Sequence, residues 1–291
     1  MHGARIACVP FWRWPRFDCE SAGRGRALRD WTVAREQGAI VLANGHRMHY
    51  DFGDERGKQL VAAGGNLNPD SLSLWQRALD LHPWQAVVDV GCNYGEMILV
   101  PRLPECADVI AFEPNPRVLP FLQRSLAEFS RPVDLISAAV AARVDQNALF
   151  SADCEWSGTS SLIEADRLPM RDEEVLTVPV TTLDDALQSR GYSSACVKVD
   201  VEGWEADVLL GAQAFLNGLE QWAIMVEILH MPMHQISELA LNYNMYVFDK
   251  RCHSLIRLYG GNTDLVSDVV RSGWAYPQDA LLLSSVDMAK S

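Results

Sequence analysis

Val87-Val88-Asp89-Val90-Gly91-Cys92-Asn93-Tyr94-Gly95 reads as a strand that runs straight into a glycine turn, with a helix expected over Glu96 to Arg102. Three valines around a single charge suit a strand covered on both faces, as in parallel sheets. Gly91 and Gly95 let backbone approach a ligand closely. Strand, glycine turn and helix together open a nucleotide-binding unit. A dinucleotide fingerprint wants G-x-G-x-x-G, but counted from Gly91 the second and third glycine positions hold Asn93 and Glu96. A P-loop fails as well, because no Lys-Ser or Lys-Thr pair follows a suitable glycine run. What remains is a cofactor without phosphates.

The next strand, Asp108 to Phe112, ends in Glu113-Pro114-Asn115-Pro116, an acid at a strand's carboxyl end where a ribose would lie. Dinucleotide sites use the same device, so the glycine spacing has to discriminate between them. Five ordered motifs then carry a family resemblance: V-D-V-G-C-N-Y-G, A-F-E-P-N-P, S-G-T-S-S-L at Ser157 to Leu162, T-L-D-D at Thr182 to Asp185, and K-V-D-V-E-G-W-E at Lys198 to Glu205. Over roughly residues 85 to 230 the chain resembles the FkbM-type methyltransferases. The resemblance implies the class I methyltransferase fold: an α/β, doubly wound, mostly parallel seven-stranded sheet with an antiparallel strand near the carboxyl terminus. It implies S-adenosylmethionine as cofactor, with Asp89, Gly91, Asn93 and Gly95 at the methionine end, Glu113 at the ribose and Ala138 beside the adenine. The expected division is an amino-terminal helical and hairpin extension over residues 1–82, covering the cleft, and a methyltransferase domain over 83–291.

Composition sets outer bounds. The chain has 291 residues, 48% hydrophobic and 22% charged, which is ordinary for a globular protein and ample for a core. A formal charge of -13 speaks against general nucleic-acid binding, which depends on neutralising phosphates with Lys and Arg. Seven scattered cysteines without a C-x-x-C read as reduced core thiols. No run approaches the length of a transmembrane segment, and arginines interrupt the apolar patch at the amino terminus, so the expected location is cytoplasmic.

In chain order, residues 1 to 35 form a basic, tryptophan-bearing terminal arm, read as an extension rather than a binding element. Residues 38 to 51 read as a hairpin around Asn44-Gly45. Asp70-Ser71 caps a helix to Leu81 with Leu72, Trp75, Ala78 and Leu79 as its stripe. Asn115 and Pro116 open a second helix, where Pro120 predicts a late start or kink. Strands follow at Val133 to Ile136, Ala148 to Ala152, Val175 to Val180, Cys196 to Asp200 and Ala223 to His230, and further ones near Met245, Leu255 and Ala280 complete the sheet.

Asp200, Glu202 and His230 are the candidate catalytic residues. Ligands in such sheets bind outside the strands' carboxyl ends, where all three fall. Methyl transfer to a hydroxyl demands an aimed acceptor and removal of its proton, and histidine or a carboxylate of raised pKa can take it. The first reading is a base without metal. A divalent ion held by the carboxylates, acidifying the acceptor, ranks second. Pro232 separates His230 from His234 with no third ligand evident, against zinc. The expected activity is O-methylation of a sugar, glycolipid, polyketide or related metabolite, the partner being a small-molecule or glycan hydroxyl acceptor. The alternatives are a non-catalytic adenosyl-binding regulator and, third, an NAD-dependent oxidoreductase.

Overall fold

The computed structural model describes residues 37–153, 155–163, 173–252, 254–260 and 263–285. The arm over residues 1 to 35 and Cys8, Cys19 and Cys154 lie outside them. Strands β1 (Gln37–Val41) and β2 (Arg47–Asp51) pair antiparallel, and Gly45 supplies the left-handed residue of the turn at φ 87°. Helix α1 (Glu55–Ala62) follows, capped by the Asp54 carboxylate on Arg56 N–H at 3.1 Å. Sequence periodicity missed this helix because it buries only Gly57 and Leu60. Helix α2 (Pro69–Asp80) is capped at Asn68, two residues before the expected Asp70, and its buried stripe includes Leu74 where Leu72 was expected.

Strand β3 (Ala86–Val90) is buried throughout. The helix after it, α3 (Glu96–Leu99), is a single turn rather than a run to Arg102, because Pro101, after the helical C-cap Val100, has no N–H to continue the ladder. Then come β4 (Asp108–Phe112) and α4 (Leu119–Ala127). The late start expected from Pro120 is found: the proline sits in the first turn of α4, where its missing N–H costs nothing. Asn115 closes the turn before it, its Oδ1 accepting from Arg117 N–H. Strand β5 (Asp134–Ile136) ends this half.

A second sheet of four strands departs from the main pattern, in the order β6 (Ala139–Val140), β9 (Glu173–Thr181), β7 (Asp145–Asp153), β8 (Ser161–Leu162). Thr182 caps α5 (Leu183–Leu187) through a bond to Asp185 N–H. The chain then runs through β10 (Ser194–Val199), α6 (Glu205–Leu210), α7 (Gln213–Gly218), β11 (Gln221–Glu227), α8 (Met233–Asn242), β12 (Asn244–Asp249), β13 (Ser254–Leu258), α9 (Thr263–Val270) and β14 (Ala275–Leu283).

Among the described residues the main sheet has eight strands in the order β13-β12-β14-β11-β10-β3-β4-β5. Strands β5, β4, β3, β10 and β11 are parallel, and β14 runs antiparallel to both β11 and β12. This is the class I methyltransferase arrangement with one strand more than the seven expected, because β13 folds back on β12 as an edge hairpin. The chain leaves β3 toward β4 and returns to β10 on its other side. That reversal opens a crevice at the carboxyl ends of β3 and β10.

Both faces of the sheet are covered. Leu183, Val208, Phe215 and Ile236, from helices α5 to α8, pack on one, and α2 lays Leu74, Trp75 and Leu79 on the other. Trp75 is wholly buried and its indole N–H donates to Met97 O at 2.9 Å, tying α2 to the helix after the glycine turn. Of the four cysteines among the described residues, Cys92 and Cys196 are buried, but Cys106 and Cys252 are exposed. The reading of all of them as core thiols is corrected there, because both fall in turns beyond the strands. Among the described residues no helix is long and apolar enough to cross a membrane.

Trp75→Ala should lower unfolding free energy by about 3–5 kcal/mol, through lost burial and a cavity. Denaturant unfolding checks this, and a loss below about 1 kcal/mol would mean that α2 is not fastened to the sheet as described.

Candidate active site

A cavity of about 510 Å³ opens at the carboxyl ends of β3, β4, β10 and β11. That volume suits a nucleoside-sized ligand with room for a second small molecule. Gly91 to Asn93, Glu113, Ala138, Asp200, Glu202 and His230 all line it. Seven of the nine residues singled out from sequence are therefore cavity wall, Glu202 among them by an unexpected route. The other two, Asp89 and Gly95, stand behind the wall.

The glycine turn owes its shape to close backbone packing. A β-carbon on Gly91, at φ 79°, would collide with the Asp200 carbonyl oxygen, so glycine is what lets the ends of β3 and β10 touch. Asn93 adopts φ 47° and its own Oδ1 accepts from Tyr94 N–H. Gly95, at φ 87°, begins α3 and abuts Leu122; it shapes the turn without facing the cavity. The Glu113 carboxylate is fixed by two backbone donors, Asn93 N–H and Asn115 N–H, each at 2.8 Å. One acid thus joins the two motif turns. Burial pushes its pKa up to about 7 against the lowering effect of those two donors.

Beneath the turn lies a buried cation. Lys198 Nζ stands 3.1 Å from Asp200 Oδ2, 3.4 Å from Asp89 Oδ1 and 3.2 Å from Gly91 O. Burial alone would discharge this lysine, but the Asp200 and Asp89 carboxylates outweigh it and raise its pKa. Asp89, opposite Lys198 in the β3–β10 register, is 1% exposed with neither oxygen in a hydrogen bond; burial raises its pKa against the attraction of Lys198. Of its two carboxylate partners Asp200 is the nearer.

Strand β10 stops at Val199, one residue before the expected end at Asp200, so strand alternation does not carry on to Glu202. Glu202 instead takes a left-handed conformation at φ 56° in the loop that Gly203 continues, and its carboxylate comes within 3.6 Å of His230 Nε2. Burial, then repulsion by Asp200 and Glu205, pushes Glu202 up to about 8. His230 lies beyond β11, which ends at Glu227, and its side chain is 55% exposed. Glu227 is buried, with a carboxyl raised by burial and by the surrounding Asp200, Glu202, Glu205 and Asp279.

Several wall residues were not legible beforehand. Arg56 on α1 pairs with Glu96 at 3.3 Å, and Glu96 also accepts from Leu67 N–H. Asp54 accepts from Tyr94 Oη (2.7 Å), Ser157 N–H (3.1 Å) and Ser157 Oγ (2.5 Å). Ser160 Oγ bonds Asp153 N–H and Asn115 Nδ2. The hydroxyls of the S-G-T-S-S-L loop are thus largely spent on fastening the loop to the motif turns. The missed signal was Asp54 before Glu55-Arg56, an N-cap pattern on a short polar helix.

The model of the Methyltransferase FkbM domain matches residues 89–253, more than half of the chain. No curated protein matches. Similar solved structures include precorrin-6Y C5,15-methyltransferase from Geobacter metallireducens (13% identity, 73% of this chain and 85% of that one, TM-score 0.38). A second is the plantazolicin methyltransferase BpumL with a desmethyl-plantazolicin analogue and S-adenosylhomocysteine (10% identity, 80% and 92%, TM-score 0.36). A third is a methyltransferase from Agrobacterium tumefaciens (9% identity, 87% and 71%, TM-score 0.38).

Glu113 makes stability depend on pH. The native state keeps its proton up to about 7, whereas the unfolded chain releases it near 4.5. Between those values the native state binds the extra proton, so the contribution is full below the lower value and lost as pH rises through the upper one. Melting temperatures should therefore favour wild type over Glu113→Gln more strongly at pH 5 than at pH 8. A difference independent of pH would refute the assignment.

Proposed function

The chain belongs to the FkbM methyltransferase family, and we propose that it moves the methyl group of S-adenosylmethionine to a hydroxyl oxygen of a sugar, glycolipid, polyketide or related small metabolite. The observation that carries this reading is the pairing of Glu113 with the glycine turn on one acidic cavity. A carboxylate pinned by two backbone N–H groups keeps an acceptor position on each oxygen for ribose hydroxyls.

The residues present fit such a cofactor. Its sulfonium and amino groups are cationic, and the cavity wall holds Glu113, Asp200, Glu202 and Glu227 against Arg56 and Lys198. Gly91 and Asn93 would take the methionine end, with Asp89 and Gly95 supporting the turn from behind, and Ala138 would leave room for the adenine. When bound, the cofactor supplies an electrophilic methyl carbon: a C–O bond forms as the S–C bond breaks, and the hydroxyl gives up its proton.

The chain's own work is then to aim the acceptor, keep water out and draw off that proton. Asp200, Glu202 and His230, all on the cavity wall with Glu202 3.6 Å from His230 Nε2, are assigned to the proton. Trp156, beside the serine-rich loop, would cover one side of the bound molecules.

Calorimetric titration with S-adenosylhomocysteine, alongside NADH, tests the assignment. Wild type should bind the former and not the latter, with affinity falling at least about tenfold in Glu113→Ala as two ribose bonds are lost. His230→Ala should keep that affinity within about twofold while slowing transfer on the order of 100-fold or more. Binding of NADH alone would overturn the reading.

A further inference from the structure

One group at the acceptor end is left unused by proton removal. Glu227 closes β11 at 4% exposure, and its Oε2 has no hydrogen-bond partner. Among the described residues no lysine or arginine pairs with it, and the nearest buried cation, Lys198, is already engaged by Asp89, Asp200 and Gly91 O. An unpartnered carboxylate in such a place costs several kcal/mol unless something neutralises it. Its neighbours say what could. Glu202, Glu227 and His230 each offer one ligand atom, and the three atoms lie within 4.8 Å of one another.

We propose that Glu202, Glu227 and His230 hold a divalent cation, and that the acceptor hydroxyl binds to its open side. The three ligands come from the end of β11 and from the loops after β10 and β11, two adjacent parallel strands, so their separation is set by the sheet. Ligands on an ion with bonds of about 2.1 Å stand roughly 3–3.5 Å apart, and His230 and Glu202 are already at 3.6 Å. Closing the remainder takes side-chain rotation alone, which Glu202 and the half-exposed His230 are free to make. Two carboxylates and an imidazole favour manganese or zinc over magnesium and calcium, which prefer oxygen alone. Three protein ligands leave coordination positions open, the pattern of catalytic rather than structural sites.

The second half of the proposal rests on the methyl-transfer reading. A hydroxyl on the ion becomes more acidic and its oxygen is fixed in position, while the ion is neither oxidised nor reduced and the proton leaves to water. Glu202 and His230 then act by holding the ion rather than by taking the proton themselves. The ion also offsets the accumulated charge of the acidic wall, where Glu227 and Asp279 face each other across the β11–β14 pair.

The test uses the full chain, stripped with chelator and titrated with manganese chloride and zinc chloride, with manganese counted by electron paramagnetic resonance. Wild type should take up one ion per chain with Kd below roughly 100 µM, and Glu227→Gln and His230→Ala should each weaken binding at least about tenfold. Should Glu227→Gln unfold, the half-exposed His230 position carries the comparison. No saturable uptake by wild type, or unchanged affinity in folded variants, would overturn the proposal. The same samples are titrated with S-adenosylhomocysteine. Nucleoside binding without ion binding sinks the cation site and leaves methyl transfer standing; ion binding lost in the variants without nucleoside binding does the reverse.

Discussion

A single buried ammonium group holds the ends of two central strands together. Lys198 reaches from β10 to Asp89 on β3, to Asp200 at its own strand's tip and to the carbonyl of Gly91. Burying Lys198 with Asp89, while Asp200 stays partly exposed, costs much desolvation, and hydrophobic residues of similar volume would serve stability as well or better. What the charges add is a unique registration of the two tips. Gly91 must pack against Asp200 with no β-carbon between them, and the lysine locks that approach from below. The crevice at the strand-order reversal therefore has a rigid floor.

On that floor the walls are fixed by backbone and hydroxyl bonds rather than by apolar packing alone. Glu113 joins the glycine turn to the turn after β4, and Asp54 joins Tyr94 to Ser157. Each acid satisfies several donors drawn from segments far apart in the chain. The result is a set of loops whose positions depend on one another, so that Asn93 and Glu202 can be held in left-handed backbone, a conformation that only strong surroundings sustain in residues other than glycine.

Much of this was legible in the residues. Valine-rich strands, the glycine turn and the acid of F-E-P-N-P announced the nucleotide half, because burial on both faces and close backbone approach leave strong compositional marks. Pro120 marked the late start of α4 for an equally local reason. The other end of the cavity wall was harder. Asp200, Glu202 and His230 were singled out as candidates and all three line the cavity, but Glu202 arrives by a left-handed turn rather than by strand alternation, and no periodicity signals such a turn. Asp54 and Arg56 sit on a short helix with two buried residues, too weak an apolar pattern to read. Asp89 looked like a ligand contact and lies instead behind the wall, since its role is set by a lysine more than a hundred residues away. Cys106 and Cys252 read as core thiols and are exposed, for their neighbouring strands end before they are reached.

Strand β14 enters the sheet between β11 and β12, both made earlier in the chain. It carries Asp279 to the cavity wall, where Asp279 accepts from Ser71 at the start of α2, and Tyr276 bonds the same serine. During synthesis, then, the ribosome releases β3 to β12 before the strand that must slip between β11 and β12. The gap at β11 stays open until Ala275–Leu283 has emerged, and pairing between partners distant in sequence is slow. Assembly of this enzyme from β3 onward therefore passes through a state with an unpaired central edge, at which a nascent chain is exposed to mispairing with its own copies.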